Sequence, residues 1–140
     1  MPIIHPPKPG SALWVTAHPR AASLNGRLFL EGVDALSTRY QVATSDLYAQ
    51  GFNPVLGDGD LGDLAGVPGN LAVQAGESYA AGQLPAEVQG EQAKLAAAEL
   101  LVLQFPLWWY GPPAILKGWF DRVLTDQFAY GDLDPELGVP

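Results

Sequence analysis

An apolar run that ends in three consecutive aromatic residues constrains this chain most. Residues 100–105 predict a strand buried on both faces, and Trp108, Trp109 and Tyr110 follow where a chain normally turns through polar residues. Two prolines then open an apolar helix predicted over about 113–125. Since strands of open α/β sheets carry ligand-binding loops at their carboxyl ends, the aromatic loop suits a flat aromatic ligand. Core packing or a subunit contact is the alternative, because aromatic side chains are usually buried.

The rest of the chain predicts alternating strands and helices. Residues 11–17 and 40–46 are typical of short buried strands, Ser23 is typical of a helix N-cap, and a helix from Pro85 leads to the strand at 100–105. The first helix, about 23–38, has an apolar stripe at helical spacing. The stripe consists of Leu24, Leu28, Val33 and Leu36, with Phe29 and Leu30 beside them. The prediction is an α/β fold, a doubly wound parallel sheet of strand order 2-1-3, built from three strands and three helices.

The segment 51–84 differs from its surroundings because glycine and aspartate dominate it. We predict a long, solvated, glycine-rich loop there, inside a domain spanning residues 11–130. The aspartates resemble a calcium loop, but counting from Asp58 places Gly69 where an EF-hand needs a bidentate glutamate, so no metal site is predicted. Residues 1–10 are predicted to be an extended tail and residues 131–140 an acidic tail.

The overall composition excludes several classes of function. The 140 residues fit one domain, and a net charge of −8 argues against nucleic acid as the main partner. The chain has no cysteine, so thiolate chemistry is excluded, and its two histidines make a multi-histidine metal site unexpected. No apolar run approaches the roughly 18 residues that span a bilayer. No membrane insertion is expected, and a cytoplasmic location is the default.

Two unusual loops are predicted to meet at one edge of the sheet. In the predicted order, strands one and three are neighbours, which places residues 18–25 beside the aromatic loop. His18 and Arg20 are potential donors to an anion, and so are the N–H groups at the start of the first helix. Ser23 also serves as a plain N-cap, and a local hydrogen bond is the alternative role of His18. An anion cradle beside an aromatic slot favours a nucleotide-like ligand with a flat ring, of which flavin is the obvious candidate.

At these residues the chain resembles the NAD(P)H:quinone oxidoreductases, the DT-diaphorase-like branch of the flavodoxin-like flavoproteins. The matching segments are 18–25 (HPRAASLN), 46–54 (DLYAQGFNP), 91–98 (EQAKLAAA) and 104–124 (QFPLWWYGPPAILKGWFDRVL). The resemblance implies a flavodoxin-like, three-layer fold of which this chain encodes strands 1–3 of the usual five. The family continues for another fifty or more residues with a glycine-rich flavin loop, so a C-terminally truncated member is expected.

The resemblance also implies a non-covalent flavin, FAD with FMN as the variant, and NAD(P)H as co-substrate. Hydride would pass from NAD(P)H to flavin and then to a quinone, in a two-electron ping-pong reaction within a homodimer. Residues implied to hold the phosphates and ribityl chain are His18, Ser23, Leu24 and Asn25. Residues implied to wrap the flavin ring are Pro106, Leu107, Trp108, Trp109 and Tyr110. Residues implied to line the quinone and nicotinamide pocket are Trp109, Tyr110 and Tyr130. The alternatives are a non-catalytic regulatory subunit, such as a potassium-efflux ancillary protein, or an inactive fragment.

Overall fold

The structure is a computed structural model that describes residues 10–131. Three strands and four helices follow one another along the chain. They are β1 (Ser11–Thr16), α1 (Leu24–Leu36), β2 (Gln41–Asp46), α2 (Leu71–Ala80), α3 (Ala86–Ala97), β3 (Leu100–Gln104) and α4 (Ala114–Val123), with two short 3-10 turns at Asp58–Asp60 and Gly62–Leu64. Apart from Gly10 and Gly131, the two predicted tails lie outside the described residues.

The strands form one parallel sheet in the order β2-β1-β3. Ser11 of β1 pairs with Gln41 of β2, and Ala12 of β1 pairs with Leu100 of β3. Parallel neighbours require crossover connections. Helix α1 connects β1 to β2, and α2 and α3 lie in the connection from β2 to β3, which returns the chain to the other side of β1. The α/β class and the strand order predicted from the sequence are therefore confirmed.

The central strand β1 packs its two faces against different helices. On one face, the ring of Trp14 lies 6.4 Å from that of Phe29 in α1. On the other face, Leu13 and Val15 enter the main core together with residues of α3 and α4. That core comprises Leu13, Val15, Ala17, Leu47, Phe52, Leu84, Val88, Leu116, Trp119 and Val123. Helices thus cover both sides of the sheet in a three-layer arrangement.

The apolar stripe predicted for α1 is only partly correct. Phe29 faces Trp14, but Leu24, Leu28 and Leu30 are 72%, 49% and 67% exposed. Hydrophobic periodicity identifies the apolar side of a helix, but burial of those side chains depends on which elements pack against that side. No residue of α1 is fully buried, so the elements described in residues 10–131 leave much of the predicted stripe uncovered.

The prediction of a continuous loop over 51–84 is wrong, because α2 lies within it. Asn70 caps this helix: its side-chain oxygen accepts hydrogen bonds from the N–H groups of Ala72 at 2.9 Å and Val73 at 3.3 Å. The buried face of α2 is made of Gln74, Ala75, Gly76 and Ser78. Such small and polar residues produce no apolar periodicity, so the sequence pattern concealed a fourth helix.

The aspartate-rich part of that segment is also not fully solvated. Asp60 is 2% exposed and forms an ion pair of 2.9 Å with Arg122 of α4, which is 4% exposed. Through this pair the 3-10 turns are fixed to the helical layer rather than extending into solvent. Within residues 10–131, no helix has both the length and the apolar character needed to cross a bilayer.

Close packing of α4 requires a glycine at position 118. A β-carbon there would collide with the backbone of Pro54, including its carbonyl oxygen. Gly118→Ala is therefore expected to lower the free energy of unfolding by about 1–3 kcal/mol. Gly90→Ala in α3 is the control: a β-carbon there meets nothing within 4 Å, and a helix-interior alanine adds about 0.5–1 kcal/mol. Urea unfolding of both variants tests the pair, and equal effects would contradict the packing.

Candidate functional site

The loops that follow β1 and β3 meet at the carboxyl edge of the sheet. The rings of His18 and Trp108 lie 6.2 Å apart, which joins the two loops directly. A cavity of about 660 Å³ opens between them and is lined by His18, Pro19, Arg20, Ala22, Ser23 and Trp108. The structure therefore places the predicted anion cradle and the aromatic loop in one crevice, as expected for neighbouring parallel strands.

The imidazole of His18 is held by its own loop. Its Nδ1 accepts a hydrogen bond of 3.1 Å from the backbone N–H of Arg20 and lies 3.0 Å from Ser23 Oγ. Nδ1 also lies 3.2 Å from the carbonyl oxygen of Arg20, so these contacts within the loop all involve the same ring nitrogen. The local hydrogen bonding left open by the sequence is present, and it involves Nδ1 rather than Nε2 of His18.

Ser23 is the N-cap of α1, as predicted. Its Oγ accepts a hydrogen bond of 3.1 Å from the N–H of Gly26 and donates one of 2.6 Å to the carbonyl of Arg20. The next two N–H groups, those of Leu24 and Asn25, lie in the first turn, where a helix supplies no acceptor of its own. They carry the partial positive charge of the helix N-terminus, so this turn favours an anion. The exposed side chain of Arg20 lines the same cavity.

The aromatic loop contains a two-residue turn at Trp109 and Tyr110. Trp108 and Gly111 exchange two backbone hydrogen bonds of 3.0 and 3.1 Å, and the residues between them have φ values of 52° and 61°. These left-handed values define a type I′ turn, which normally selects asparagine and glycine and is strained for bulky aromatic residues. The two rings are 97% and 95% exposed. Core packing within residues 10–131 is therefore ruled out as their role.

The other predicted site residues are less closely grouped. Leu107 is 67% exposed and Pro106 is partly buried, and both precede the turn. Tyr130 lies after α4, where its carbonyl accepts a hydrogen bond of 2.6 Å from the N–H of Gln127. Its ring is 57% exposed, and no ring contact within residues 10–131 joins it to the aromatic turn. The structure thus brings together His18, Ser23 and Trp108, whereas it shows no ring contact of Tyr130 with them in the part of the chain that it describes.

Gln104 was not predicted to contribute to the site, yet it connects the two loops. Its Oε1 accepts a hydrogen bond of 3.0 Å from Trp14 Nε1, and its Nε2 donates one of 2.7 Å to the carbonyl of Asn25. The sequence contains a signal for it, since Gln104 is the polar residue in the apolar run 100–105. A polar side chain in a buried strand is expected to have specific partners.

Comparisons with known proteins identify the fold family. A protein-family model described as a flavodoxin-like fold matches residues 11–139. The chain is 42% identical over 125 residues to NAD(P)H dehydrogenase [quinone] 1 of Rattus norvegicus, covering 85% of this chain and 44% of the relative. It is 41% identical over 121 residues to ribosyldihydronicotinamide dehydrogenase [quinone] of Homo sapiens, covering 84% of this chain and 52% of the relative.

Solved structures give the same result for the fold. The NAD(P)H:quinone oxidoreductase from Methanothermobacter marburgensis superposes with a TM-score of 0.65 at 29% identity, covering 84% of this chain and 55% of that one. The chain spans about half the length of the curated relatives it matches. The flavodoxin-like fold predicted from the sequence is thereby confirmed.

Proposed function

The chain belongs to the family with the flavodoxin-like fold, and we propose that it binds a flavin between its first and third strands and serves the two-electron reduction of quinones by NAD(P)H. One observation carries the proposal. The helix N-terminus that favours an anion follows His18 in the chain, and the strained turn that exposes two aromatic rings follows Trp108. The rings of His18 and Trp108 are 6.2 Å apart, which brings the two features to one crevice. The names of the relatives support the reaction class.

The residues at this crevice suit both parts of a flavin nucleotide, its phosphate end and its flat ring. The N–H groups of Leu24 and Asn25, at the helix start that Ser23 caps, supply donors suited to the phosphate end, and His18 Nε2 is proposed to assist them. Ser23 would hold the phosphate end through this cap, since its own hydroxyl donates to the Arg20 carbonyl. Trp108, Trp109 and Tyr110 supply aromatic surface suited to the ring, with Pro106 and Leu107 beside them. The cavity of about 660 Å³ lies in the range typical of small-molecule sites. FAD is the proposed cofactor and FMN the variant.

A bound flavin would supply the chemistry of accepting and donating a hydride, and the protein would supply orientation and electrostatics. Trp109, Tyr110 and Tyr130 are proposed to line the place where nicotinamide and quinone bind in turn, as a ping-pong reaction requires. Their exposure supports a second subunit that covers them, since exposed apolar patches mark interaction sites. The proposal therefore includes a homodimer, and a cytoplasmic location is proposed with it as the default. Nothing in the comparisons favours the regulatory or inactive alternatives.

Replacing Trp109 tests the aromatic wall without disturbing the fold. Because the side chain is 97% exposed, Trp109→Ala is expected to change the free energy of unfolding by less than about 0.5 kcal/mol. Flavin affinity should fall about 10-fold, since stacking on an aromatic ring contributes about 1–3 kcal/mol. The measurement is quenching of flavin fluorescence on titration with protein. Val55→Ala, at a position 67% exposed in another loop, is the control and should leave flavin affinity unchanged.

Two outcomes would contradict the proposal at different levels. Unchanged flavin affinity in Trp109→Ala would remove Trp109 from the site but leave flavin binding intact. A wild-type protein that retains no flavin absorbance after incubation with FAD or FMN and removal of the free flavin would overturn flavin binding itself. NAD(P)H oxidation in the presence of a simple quinone then tests the reaction, and a flavin-loaded protein without this activity would favour a regulatory role.

A further inference from the structure

Gln104 lies at the point where the aromatic loop leaves the sheet. It is the last residue of β3 and pairs with Thr16 of β1. Its backbone carbonyl accepts a hydrogen bond of 3.1 Å from the N–H of Ala17, the residue just before His18. Its partly buried side chain reaches across to Trp14 and to the first turn of α1. Three parts of the site are thus connected through one residue.

The partners of the Gln104 amide fix its orientation. Trp14 Nε1 only donates, so the atom 3.0 Å from it must be the carbonyl oxygen Oε1. The backbone carbonyl of Asn25 only accepts, so the atom 2.7 Å from it must be the amide nitrogen Nε2. Rotating the amide by 180° would place two donors against each other at Trp14 and two acceptors at Asn25. The side chain therefore has one stable orientation.

This orientation in turn determines how the Asn25 side chain is presented. Gln104 Nε2 also lies 3.3 Å from Asn25 Oδ1, so the oxygen of the Asn25 amide faces Gln104. The NH₂ group of Asn25 is then left available as a donor in the first turn of α1. A donor there adds to the N–H groups that favour an anion. If the Asn25 amide were flipped, it would present its oxygen instead, and this oxygen would repel the anion.

We propose that Gln104 is a positioning residue for the phosphate end of the flavin: it holds Asn25 with its amide donors available to the phosphate. This inference rests on the flavin binding proposed above. Gln104 itself touches the protein rather than the ligand, so it acts through Asn25. The expected signature is selective, because the loss of a phosphate contact weakens FMN binding and leaves riboflavin, which lacks the phosphate, nearly unaffected.

The test compares FMN and riboflavin affinities in variants of the 140-residue chain. Gln104→Met has a similar unbranched shape and no hydrogen-bonding amide, and it should lower the ratio of FMN to riboflavin affinity about 10-fold, the effect of one charge-assisted hydrogen bond. Asn25→Ala should lower the ratio by a similar factor. The double variant should be no worse than Asn25→Ala alone, since residues that act as a unit are not additive.

Trp14→Phe is the matched control. It removes the other partner of the Gln104 amide, but the Asn25 carbonyl still dictates the amide orientation, so stability should fall while the affinity ratio stays unchanged. If Gln104→Met does not fold, Gln104→Glu, which keeps an acceptor for Trp14, should show the same fall in the ratio.

Equal losses of FMN and riboflavin affinity, or additive effects of the Gln104 and Asn25 substitutions, would overturn the inference alone. Wild-type protein that binds neither ligand would overturn the proposed function together with it.

Discussion

Replacing Arg122 with methionine is expected to lower the free energy of unfolding by about 3–5 kcal/mol, because it leaves the buried carboxylate of Asp60 without its counter-charge. Asp60 and Arg122 are 2% and 4% exposed. The guanidinium donates to Asp60 Oδ1 through Nε at 3.0 Å and Nη2 at 2.9 Å, and through Nη1 to Glu87 Oε2 at 2.7 Å. Guanidinium and urea unfolding curves measure the loss.

The environment of Arg122 keeps it charged. Burial opposes the charge, but the hydrogen bonds with Asp60 and Glu87 outweigh it and raise the pKa of Arg122 above its usual value. Nη1 also donates to the carbonyl of Asn53 at 2.6 Å, and the guanidinium carbon lies 5.3 Å from the ring centroid of Phe52. This one side chain therefore fixes the segment after β2 to α4.

Two further variants separate the buried pair from helix effects. Lys117→Met removes an exposed pair with Asp121 on the same helix, whose side chains are 63% and 40% exposed, and should change stability by less than about 0.5 kcal/mol. Adding Asp60→Asn to Arg122→Met should recover part of the loss, because the orphaned charge is removed. A loss below about 1 kcal/mol in Arg122→Met would show that Asp60 finds other partners or water.

The sheet could be predicted from the sequence because its strands are read locally. Near-continuous apolar runs at residues 11–17 and 100–105 indicated strands, and the parallel arrangement follows from helical crossovers between them. Burial on both faces was predicted for the strand at 100–105 and is wrong, because β3 is an edge strand with no fully buried residue and Leu101 is 38% exposed. The meeting of His18 with Trp108 followed from the same reasoning, since carboxyl ends of neighbouring parallel strands share one edge. The Ser23 cap is likewise a local signal.

The parts that could not be predicted depend on contacts between distant residues. Nothing in local spacing pairs Asp60 with Arg122 or joins Gln104 to Asn25, because these partners are 62 and 79 positions apart. α2 was missed because its buried face is small and polar. Local pattern therefore predicted that the two loops meet in one crevice, but not the residues that hold this crevice in shape.

The position of the aromatic turn could be predicted from the sequence, but its backbone conformation could not. The sequence shows that Trp109 and Tyr110 follow a strand, but their left-handed backbone emerges only from the two hydrogen bonds between Trp108 and Gly111. Each bulky residue with positive φ raises the free energy of the folded state by roughly 1–3 kcal/mol relative to a common backbone conformation. Such strain is typical of positions selected for what they present rather than for stability, which supports the ligand-facing role proposed for this turn.

The second large effect is expected at Glu91, which is 2% exposed at the centre of the helical layer. Its carboxylate accepts four hydrogen bonds. The donors are Ser45 Oγ at 2.6 Å, Lys94 Nζ at 2.8 Å, and Gln50 Nε2 and Trp119 Nε1 at 3.0 Å. These donors come from β2, the segment that follows it, α3 and α4, so one carboxylate holds four parts of the fold together.

Glu91→Gln should lower the free energy of unfolding at pH 7 by about 2–4 kcal/mol, because the amide keeps one acceptor and turns an NH₂ group toward donors that then lack a partner. Glu31→Gln, at an exposed residue paired with Arg27, is the control and should change stability by less than about 0.5 kcal/mol. Unfolding by urea at constant pH measures both variants. If Glu91→Gln and the wild type were equally stable, the negative charge of Glu91 would not strengthen its hydrogen bonds with the four donors.

The same carboxylate predicts a dependence on pH. Burial alone would favour the neutral acid, but the hydrogen bonds from Lys94, Ser45, Trp119 and Gln50 outweigh it and lower the pKa of Glu91 below its ordinary value of 4.5. A lowered pKa in the folded state contributes stability that is complete above 4.5 and is lost as the pH falls through the folded value. Glutamine does not titrate, so the stability difference between wild type and Glu91→Gln should be constant near neutral pH and shrink in acid. A difference that stays constant into acid would show that Glu91 contributes packing and hydrogen bonds but no charge-dependent stability.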